Sequence, residues 1–356
     1  MLHDILNAHK PERTPATASV ISLGQVWVDI MLGLGELPKP GGFAVTDSVN
    51  PSVGGSFRVL QAAARSGSPA KHAGIVGTGL WSSVIRDEFD ANGIQHIGSD
   101  RLDADSGFRL VLNDGSDKTF IATYGAEAQG DERTFDAIEP QDGDVVHISG
   151  NTLMDHSAAG IDGFLHRAGA NPGKRPYTIV LNPTNSLHLV SDRLIEDTAL
   201  CRPTWSCNRQ EANTLAERLG IPPMDDSKLT IGGGFDDAMT GLCDALGSTL
   251  RAPLVLRAGA RGAWVRVPGS DVVHVEGFPV KSTHSRSAGS CHTGVMCAML
   301  AQGWSLFDAV RIANAAASIA ISNNKAGVPD CPPVEDAIAL IKRHEEHADE
   351  SAEVQA

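Results

Sequence analysis

The sequence predicts an α/β fold in which a mostly parallel sheet is covered on both faces by helices. From residue 144 onward, short apolar runs alternate with helical segments, and the 37 glycines are numerous, as in folds with many turns between strands and helices. Strands that alternate with helices favour parallel pairing, and parallel sheets are buried on both faces. With 356 residues, 42% of them hydrophobic, the chain is long enough for two domains or for one large α/β domain with an insertion.

The first apolar run, at 19–34, is predicted to be a buried strand that reaches Asp29. A helix is predicted at 56–67, where Gly67 provides the stop signal. The last three predicted helices lie at 290–303, 305–322 and 334–347. Together with the alternation after residue 144, these elements account for both layers of helices around the sheet.

Two early segments interrupt the alternation. Residues 35–55 are rich in Gly, Pro and Ser, and residues 106–127 form two alternating runs on either side of a turn-prone stretch at 113–118. The second pattern is typical of a β-hairpin. We expect these segments to form a small β lid on the α/β body.

Three ranges divide the chain. Residues 1–18 lack sustained periodicity and are predicted to be a loose N-terminal tail, whereas 19–343 carry the α/β domain. Residues 344–356 are polar and acidic, and a frayed C-terminal tail is predicted there.

Composition excludes several classes of partner. The formal net charge is −14, from 29 basic and 43 acidic residues, so neither nucleic acid nor an anionic membrane is expected as a partner.

None of the six cysteines forms a C-x-x-C pair, which argues against structural zinc. No apolar run approaches the roughly 18 residues of a membrane span. With no signal peptide evident, a cytoplasmic protein with free thiols is expected.

Two motifs at predicted helix starts have both a structural and a chemical interpretation. The small residues Ser287, Ala288, Gly289 and Ser290 precede a predicted helix with Ser290 at its N-cap, which suits an anion or merely a capped turn. Asn208 and Glu211, in "NRQE", lie on one face of a helical first turn. Without further information a capping box is the favoured interpretation of this second pair.

Two glycine pairs are weak signals when taken alone. Gly259 and Gly262 lie between two strand-like runs and are compatible with a plain glycine hairpin. Gly54 and Gly55 lead into the helix at 56–67. Glycines allow the backbone to approach a ligand closely, but they also serve ordinary turns.

In this order, the motifs resemble those of the PfkB/ribokinase family of carbohydrate kinases over about residues 19–343. "SVGGSFRVLQAAARSG" resembles the first glycine signature of the family, "SCNRQEA" its N-x-x-E motif, and "LVLRAGARGAWV" its V-x-x-G-x-x-G segment. "STHSRSAGSCHTGVMCAMLAQGWSLFDAVRIANAAASIAI" resembles the second signature and the two helices that follow it.

This resemblance implies a ribokinase-like three-layer α/β/α sandwich with a β lid over a sugar site. It implies ATP and Mg²⁺ as cofactors, and transfer of the γ-phosphoryl group to a hydroxymethyl group of a sugar or sugar-like substrate. Family members often form homodimers through the lid, so a homodimer is a further expectation.

The resemblance also implies roles for individual residues. Asp29 is expected to bind substrate hydroxyls, and Gly54 and Gly55 to shape the sugar site. Asn208 and Glu211 are expected to place magnesium and phosphate, with Glu211 acting on the metal indirectly. The residues expected at the nucleotide are Gly259, Gly262, Ala313 and Asn314.

The sequence departs from the family pattern at the positions expected to carry the reaction, the general base and the anion-binding turn. The second signature is usually D-x-x-G-A-G-D, and Ser290 stands where the family has its general base, an aspartate. A serine hydroxyl does not accept a proton near pH 7, and loss of a general base typically costs about 10²–10⁴ in rate. Ser287 stands at a glycine-type position, where its Cβ would crowd the anion hole, and Arg286 could supply charge there.

The substrate side departs as well. Arg58 replaces the asparagine usual in the first signature, and Trp27 stands where the family often has a polar residue.

His284 and His292 are the candidate replacements for the missing base. A helix would place His292 about 200° around from Ser290, which argues against it.

Three hypotheses follow. The chain is an active ATP-dependent sugar kinase, or a catalytically impaired homologue that binds ligands or regulates. In the third, Arg58 and Arg286 indicate a substrate that carries negative charge, such as a phosphorylated sugar.

Overall fold

A computed structural model describes residues 18–114, 118–184, 187–225, 234–281, 288–323 and 330–355. The strands are β1 Val20–Ser22, β2 Val28–Gly33, β3 Ser48–Val53, β4 Ala70–His72, β5 Ile94–His96, β6 Phe108–Asn113, β7 Lys118–Thr123, β8 Val145–Ser149, β9 Thr178–Asn182, β10 Thr204–Asn208, β11 Leu254–Arg257, β12 Ala263–Arg266 and β13 Val273–Val275. The helices are α1 Phe57–Arg65, α2 Leu80–Ala91, α3 Ala158–His166, α4 Asp192–Leu200, α5 Arg209–Arg218, α6 Phe235–Leu250, α7 Ala288–Ala301, α8 Leu306–Ser322 and α9 Val334–Gln355.

Nine of the described strands form the main sheet, in the order β13-β12-β11-β10-β9-β8-β1-β4-β5. Pairing is parallel from β11 to β5 and antiparallel only at β12 and β13. The predicted α/β class with a mostly parallel sheet is therefore confirmed.

Helices cover both faces of this sheet. Side chains alternate along the central strands, so that Val145 and Val255 join one hydrophobic cluster whereas Val146 and Leu254 join the other. The first cluster is completed by helices α1, α2, α7, α8 and α9. The second is completed by helices α3 to α6. The result is a three-layer α/β/α sandwich with a separate core on each face.

The lid is a four-stranded sheet of order β3-β2-β6-β7. The predicted hairpin at 106–127 is observed as β6 and β7, which pair antiparallel. The prediction of one strand from residue 19 to Asp29 is wrong, because the chain leaves the main sheet after Ser22 and continues as β2 in the lid. The turn between them includes Gly24, where a Cβ would collide with Ser56 and Ser149.

Two helix ends differ from the sequence prediction. Helix α7 begins at Ala288, so Ser290 lies in its first turn and not at the N-cap. A serine is a good cap by local preference, but tertiary context overrides such preferences, and α7 packs closely against α1 and α8. At the other end, the predicted acidic tail at 344–356 is helical to Gln355, as its Ala and Glu content allows. The predicted tail at 1–18 lies outside the described residues, except for Ala18.

Candidate functional site: two cavities that meet at helix α7

A cavity of about 310 Å³ opens between the lid and the carboxyl ends of β8, β9 and β10. Ligands of parallel α/β sheets usually bind at this edge. We call this space the acceptor cavity, after the substrate that the family resemblance predicts beside Asp29. It brings together eight of the predicted site residues: Asp29, Gly54, Gly55, Arg58, Asn208, Glu211, Gly289 and Ser290.

Asp29 lies on lid strand β2, beside Arg109 on the parallel strand β6. Arg109 donates from Nε to Asp29 Oδ1 at 2.8 Å and from Nη2 to Oδ2 at 3.0 Å. Trp27 Nε1 donates to the same Oδ1 at 3.0 Å. Both oxygens of this buried carboxylate therefore accept hydrogen bonds from the protein, and Asp29 holds an arginine toward the cavity.

The two glycines of the first signature make room for Trp27 and Asp29. A Cβ at Gly54 would lie 2.8 Å from Asp29 Oδ2, and a Cβ at Gly55 would lie 2.9 Å from Trp27 Cζ3. Any larger residue would push the indole or the carboxylate away. The glycines thus allow the close packing that fixes the Trp27–Asp29–Arg109 cluster.

Arg58 lies in the first turn of α1, directly after these glycines, and lines the same cavity. Its Nη1 is 3.4 Å from Gln61 Oε1, and its guanidinium lies 5.6 Å from the centre of the Phe57 ring. The structure therefore places this cation in the cavity lining, beside the glycines of the first signature.

Asn208 and Glu211 form a complete capping box at the start of α5. Asn208 Oδ1 accepts from the Glu211 N–H at 2.9 Å, and Glu211 Oε2 accepts from the Asn208 N–H at 2.7 Å. Burial raises the pKa of Glu211, an effect that Arg257, 3.4 Å away, partly offsets. The structural interpretation of the motif is confirmed, and the same carboxylate also lines the cavity.

The first turn of α7 forms one wall of the acceptor cavity, where Gly289 and Ser290 are half-buried. A Cβ at Gly289 would lie 2.2 Å from Arg257 Nη1, so the glycine lets this guanidinium lie against the helix start. Ala288 begins the helix and faces a second cavity. The other residues of the signature, Ser287, Arg286 and His284, lie outside the described residues.

The second cavity, of about 540 Å³, lies on the other side of this turn, and we call it the nucleotide cavity. It brings together Gly259, Gly262 and Asn314 with apolar side chains such as Phe278. The amide of Asn314 donates to the carbonyls of Val275 and Glu276 at 3.1 and 3.0 Å. Asn314 therefore ties α8 to β13 at the cavity wall.

His292 faces the nucleotide cavity and does not line the acceptor cavity. Its Nε2 lies 3.1 Å from Asn314 Oδ1. Burial, together with the nearby Arg257, lowers its pKa to about 3. His292 is thus neutral and directed away from Ser290, in agreement with the helical geometry that argued against it as a base.

The two cavities share Asn208, Arg257 and Gly289. Sequence reasoning missed Arg257, although a cation at the end of an apolar strand beside Gly259 was a usable signal. It also missed Arg109, whose role depends on pairing with a strand about 80 positions away. A group passed between ligands in the two cavities would pass at this junction.

A family model of the pfkB carbohydrate kinases matches residues 35–332, which is most of the chain. The chain belongs to the pfkB family of carbohydrate kinases. Within the family, it is similar to an uncharacterized sugar kinase of Escherichia coli K12, YegV, with 26% identity over 345 residues that cover 96% of this chain and 98% of YegV.

Solved structures share the fold of this pfkB chain. The ribokinase of Cryptococcus neoformans var. grubii serotype A, solved in complex with ADP, has a TM-score of 0.73 at 18% identity and covers 92% of this chain and 99% of its own. The Arabidopsis thaliana ribokinase, solved with ribose and ATP, has a TM-score of 0.68 at 16% identity with the same coverage. In the described part of this pfkB chain, no helix is long and apolar enough to cross a bilayer.

Proposed function

We propose that the chain transfers the γ-phosphoryl group of ATP to a hydroxymethyl group of a sugar or sugar-like acceptor. The observation that carries this proposal is the junction of the two cavities at Asn208, Arg257 and Gly289. An acceptor on one side and a nucleotide on the other would meet at the start of α7. Phosphoryl transfer depends mainly on such positioning and on neutralisation of phosphate charge.

The nucleotide cavity fits ATP in size and chemistry. Its volume of about 540 Å³ and its apolar residues Phe278, Val280 and Ile321 suit a purine ring. At the junction, the N–H groups of the first turn of α7 and the guanidinium of Arg257 suit phosphates. The nucleotide's phosphates would thus point toward the acceptor cavity.

Magnesium fits this site only through water. Among the described residues, Glu211 is the carboxylate that lies at the junction beside Arg257, and it already accepts the Asn208 N–H. We therefore assign it an indirect role, through metal-bound water. When bound, Mg²⁺ supplies charge neutralisation between phosphate oxygens.

Ser290 lowers the rate that this arrangement can reach. It cannot take the proton of the acceptor hydroxyl near pH 7, and a general base is worth about 10²–10⁴ in rate. Positioning and electrostatic stabilisation do not depend on that carboxylate. The chain is therefore proposed to be a slow kinase.

A catalytically impaired ligand-binding homologue is the second candidate. The observations that favour it are Ser290 itself and the close approach of Arg257 to Gly289, which fills the space beside the first turn of α7. Under this alternative the cavities would still bind their ligands but would not exchange a phosphoryl group.

ATP consumption against a panel of sugars and nucleosides, with Ser290→Asp and Ser290→Ala in parallel, separates the two candidates. The slow-kinase proposal expects measurable turnover of the native chain with at least one acceptor, about 10²-fold or more higher turnover in Ser290→Asp, and little change in Ser290→Ala. No turnover by the native chain or by Ser290→Asp with any acceptor would favour the second candidate.

A homodimer through the lid is proposed as well. The lid exposes large apolar side chains, including Phe43, Val49, Ile121 and Tyr124, which are 53–88% exposed. Exposed apolar side chains of this kind suit burial against another copy. Light scattering of the purified chain, with Ile121→Asp as the disrupting variant, tests it.

A further inference from the structure

The acceptor cavity carries more positive than negative charge. Its described lining includes three guanidinium groups, of Arg58, Arg109 and Arg257, and two carboxylates, of Asp29 and Glu211. In a chain with a formal net charge of −14, a cationic excess in one cavity is a local feature that favours an anionic ligand.

ATP does not account for all three guanidinium groups. Arg257 lies at the junction and lines both cavities, so it faces the phosphoryl group in transfer. Arg58 and Arg109 line the acceptor cavity and are not part of the nucleotide cavity. Two cations on α1 and on the lid therefore serve the other ligand.

Arg109 is held in a fixed orientation. Asp29 binds it with two hydrogen bonds, and its guanidinium lies 5.2 Å from the Trp27 ring centre and 5.3 Å from that of Phe120. A guanidinium has five N–H donors. Asp29 takes two of them, and no described side chain or carbonyl takes the other three. Such a pre-oriented fork matches the two oxygens of a carboxylate or phosphate.

The same contacts change the role that the family resemblance gives to Asp29. Its two oxygens already accept from Arg109 and Trp27, so the carboxylate acts on a substrate mainly by presenting Arg109. A neutral sugar would meet N–H donors here in place of a carboxylate. An anionic group would gain charge-assisted hydrogen bonds.

We propose that the acceptor is a polyhydroxylated molecule that carries an oxyanion, either a carboxylate or a phosphate, and that Arg109 binds this group with Arg58 beside it. The inference rests on the proposed function in taking this cavity as the acceptor site. It assigns Arg109 to the end of the substrate away from the transferred phosphoryl group.

Calorimetric titration without nucleotide tests the proposal with matched pairs: glucose and gluconate, fructose and fructose 6-phosphate, ribose and ribose 5-phosphate. We expect at least one anionic member to bind about 10- to 100-fold more tightly than its neutral partner. Preference confined to gluconate identifies a carboxylate ligand, and preference confined to the sugar phosphates identifies a phosphate ligand.

Arg109→Gln should abolish that preference, and Arg109→Lys should weaken it because the planar fork is lost. Since Arg109→Gln leaves the Asp29 carboxylate without its partner, the double variant Asp29→Asn/Arg109→Gln keeps the pair neutral. Arg193→Gln is the matched control, because Arg193 is 79% exposed on α4, pairs with Asp162 and Asp197, and lines neither cavity. It should retain the full preference.

Three results would overturn the inference: equal binding within every pair, no binding of any anionic member, or a preference that survives both Arg109→Gln and the double variant. The outcome is separable from that of the proposed function. A chain that binds gluconate through Arg109 but never consumes ATP refutes the kinase and leaves the anion site at Arg109 standing. A chain that phosphorylates only neutral sugars supports the kinase and refutes this inference.

Discussion

The acceptor cavity and the nucleotide cavity share three residues but differ in charge. Five charged side chains line the described part of the acceptor cavity, whereas Arg257 is the one charged side chain in the described lining of the nucleotide cavity. The nucleotide side relies on glycines, apolar side chains and the amide of Asn314. The acceptor cavity is lined by three arginines, of which Arg109 and Arg257 pair with carboxylates.

This difference coincides with the residues that depart from the family pattern. The nucleotide side keeps Gly259, Gly262 and Asn314, while Trp27, Arg58 and Ser290 all belong to the acceptor side. Backbone-based recognition of a nucleotide tolerates little change, because glycine conformation and close packing fix it. Substrate recognition depends on a few side chains that can be exchanged without loss of the fold.

The largest expected effect is on stability at the nucleotide cavity. Gly262 has φ +87°, and a Cβ there would lie 2.1 Å from the Val275 carbonyl oxygen. Gly259 has φ +60° with open space around it. Gly259→Ala should lower the free energy of unfolding by about 1–2 kcal/mol from its left-handed backbone. Gly262→Ala should lower the free energy of unfolding by about 1–3 kcal/mol more than Gly259→Ala does, because its Cβ would also collide with the Val275 carbonyl.

Urea denaturation of both variants checks this pair. Gly259→Ala is the reference for a positive φ without a collision, and the ψ of −136° at Gly262 adds backbone strain to the collision there. Equal losses in the two variants would show that the close approach of β13 to Gly262 is not needed. Such a result would contradict the claim that glycine conformation and close packing fix the nucleotide cavity.

A smaller, pH-dependent effect on stability is expected from Asp155, which lies next to the acceptor cavity. A chamber of about 720 Å³ adjoins the acceptor cavity at Trp27, Arg109 and Asn151, and Asp155 lies in its wall. Burial raises the pKa of Asp155 to about 7. Because this value lies above the unfolded value of about 3.9, ionisation opposes folding, and stability falls as pH rises toward and through 7.

Asp155→Asn should therefore raise Tm by about 2 °C or more at pH 8, and by less at pH 5. Asp103→Asn is the control, since Asp103 is exposed and a hydrogen bond from Arg101 lowers its pKa. That variant should show no gain at pH 8. A gain for Asp155→Asn that is the same at both pH values would exclude ionisation as its cause.

Much of the fold could be predicted from the sequence because its signals are local. Alternating strands and helices predict the parallel sheet, and the turn at 113–118 predicts the β6–β7 hairpin. The break after Ser22 was missed because residues 19–34 form a mostly apolar run, so composition does not distinguish a strand of the main sheet from one of the lid. Strand partners, which decide between the two, are distant in sequence.

The site was predictable where a motif carried it. Asn208, Glu211 and the glycines were found because their spacing is fixed by helix caps and turns. Arg109 and Arg257 were missed because their roles arise from tertiary contacts: Arg109 through the register of β6 with β2, and Arg257 through its approach to Gly289. The contact of Arg109 leaves no local pattern, and that of Arg257 leaves only a cation at the end of an apolar strand beside Gly259.

The most direct test of the two-cavity account is the calorimetric affinity for ADP of the native chain, Arg257→Gln and Arg109→Gln. The account predicts that the native chain binds ADP, that Arg257→Gln weakens binding about tenfold through loss of a charge-assisted contact, and that Arg109→Gln leaves it unchanged. Failure of the native chain to bind ADP, or equal weakening by both variants, would contradict it.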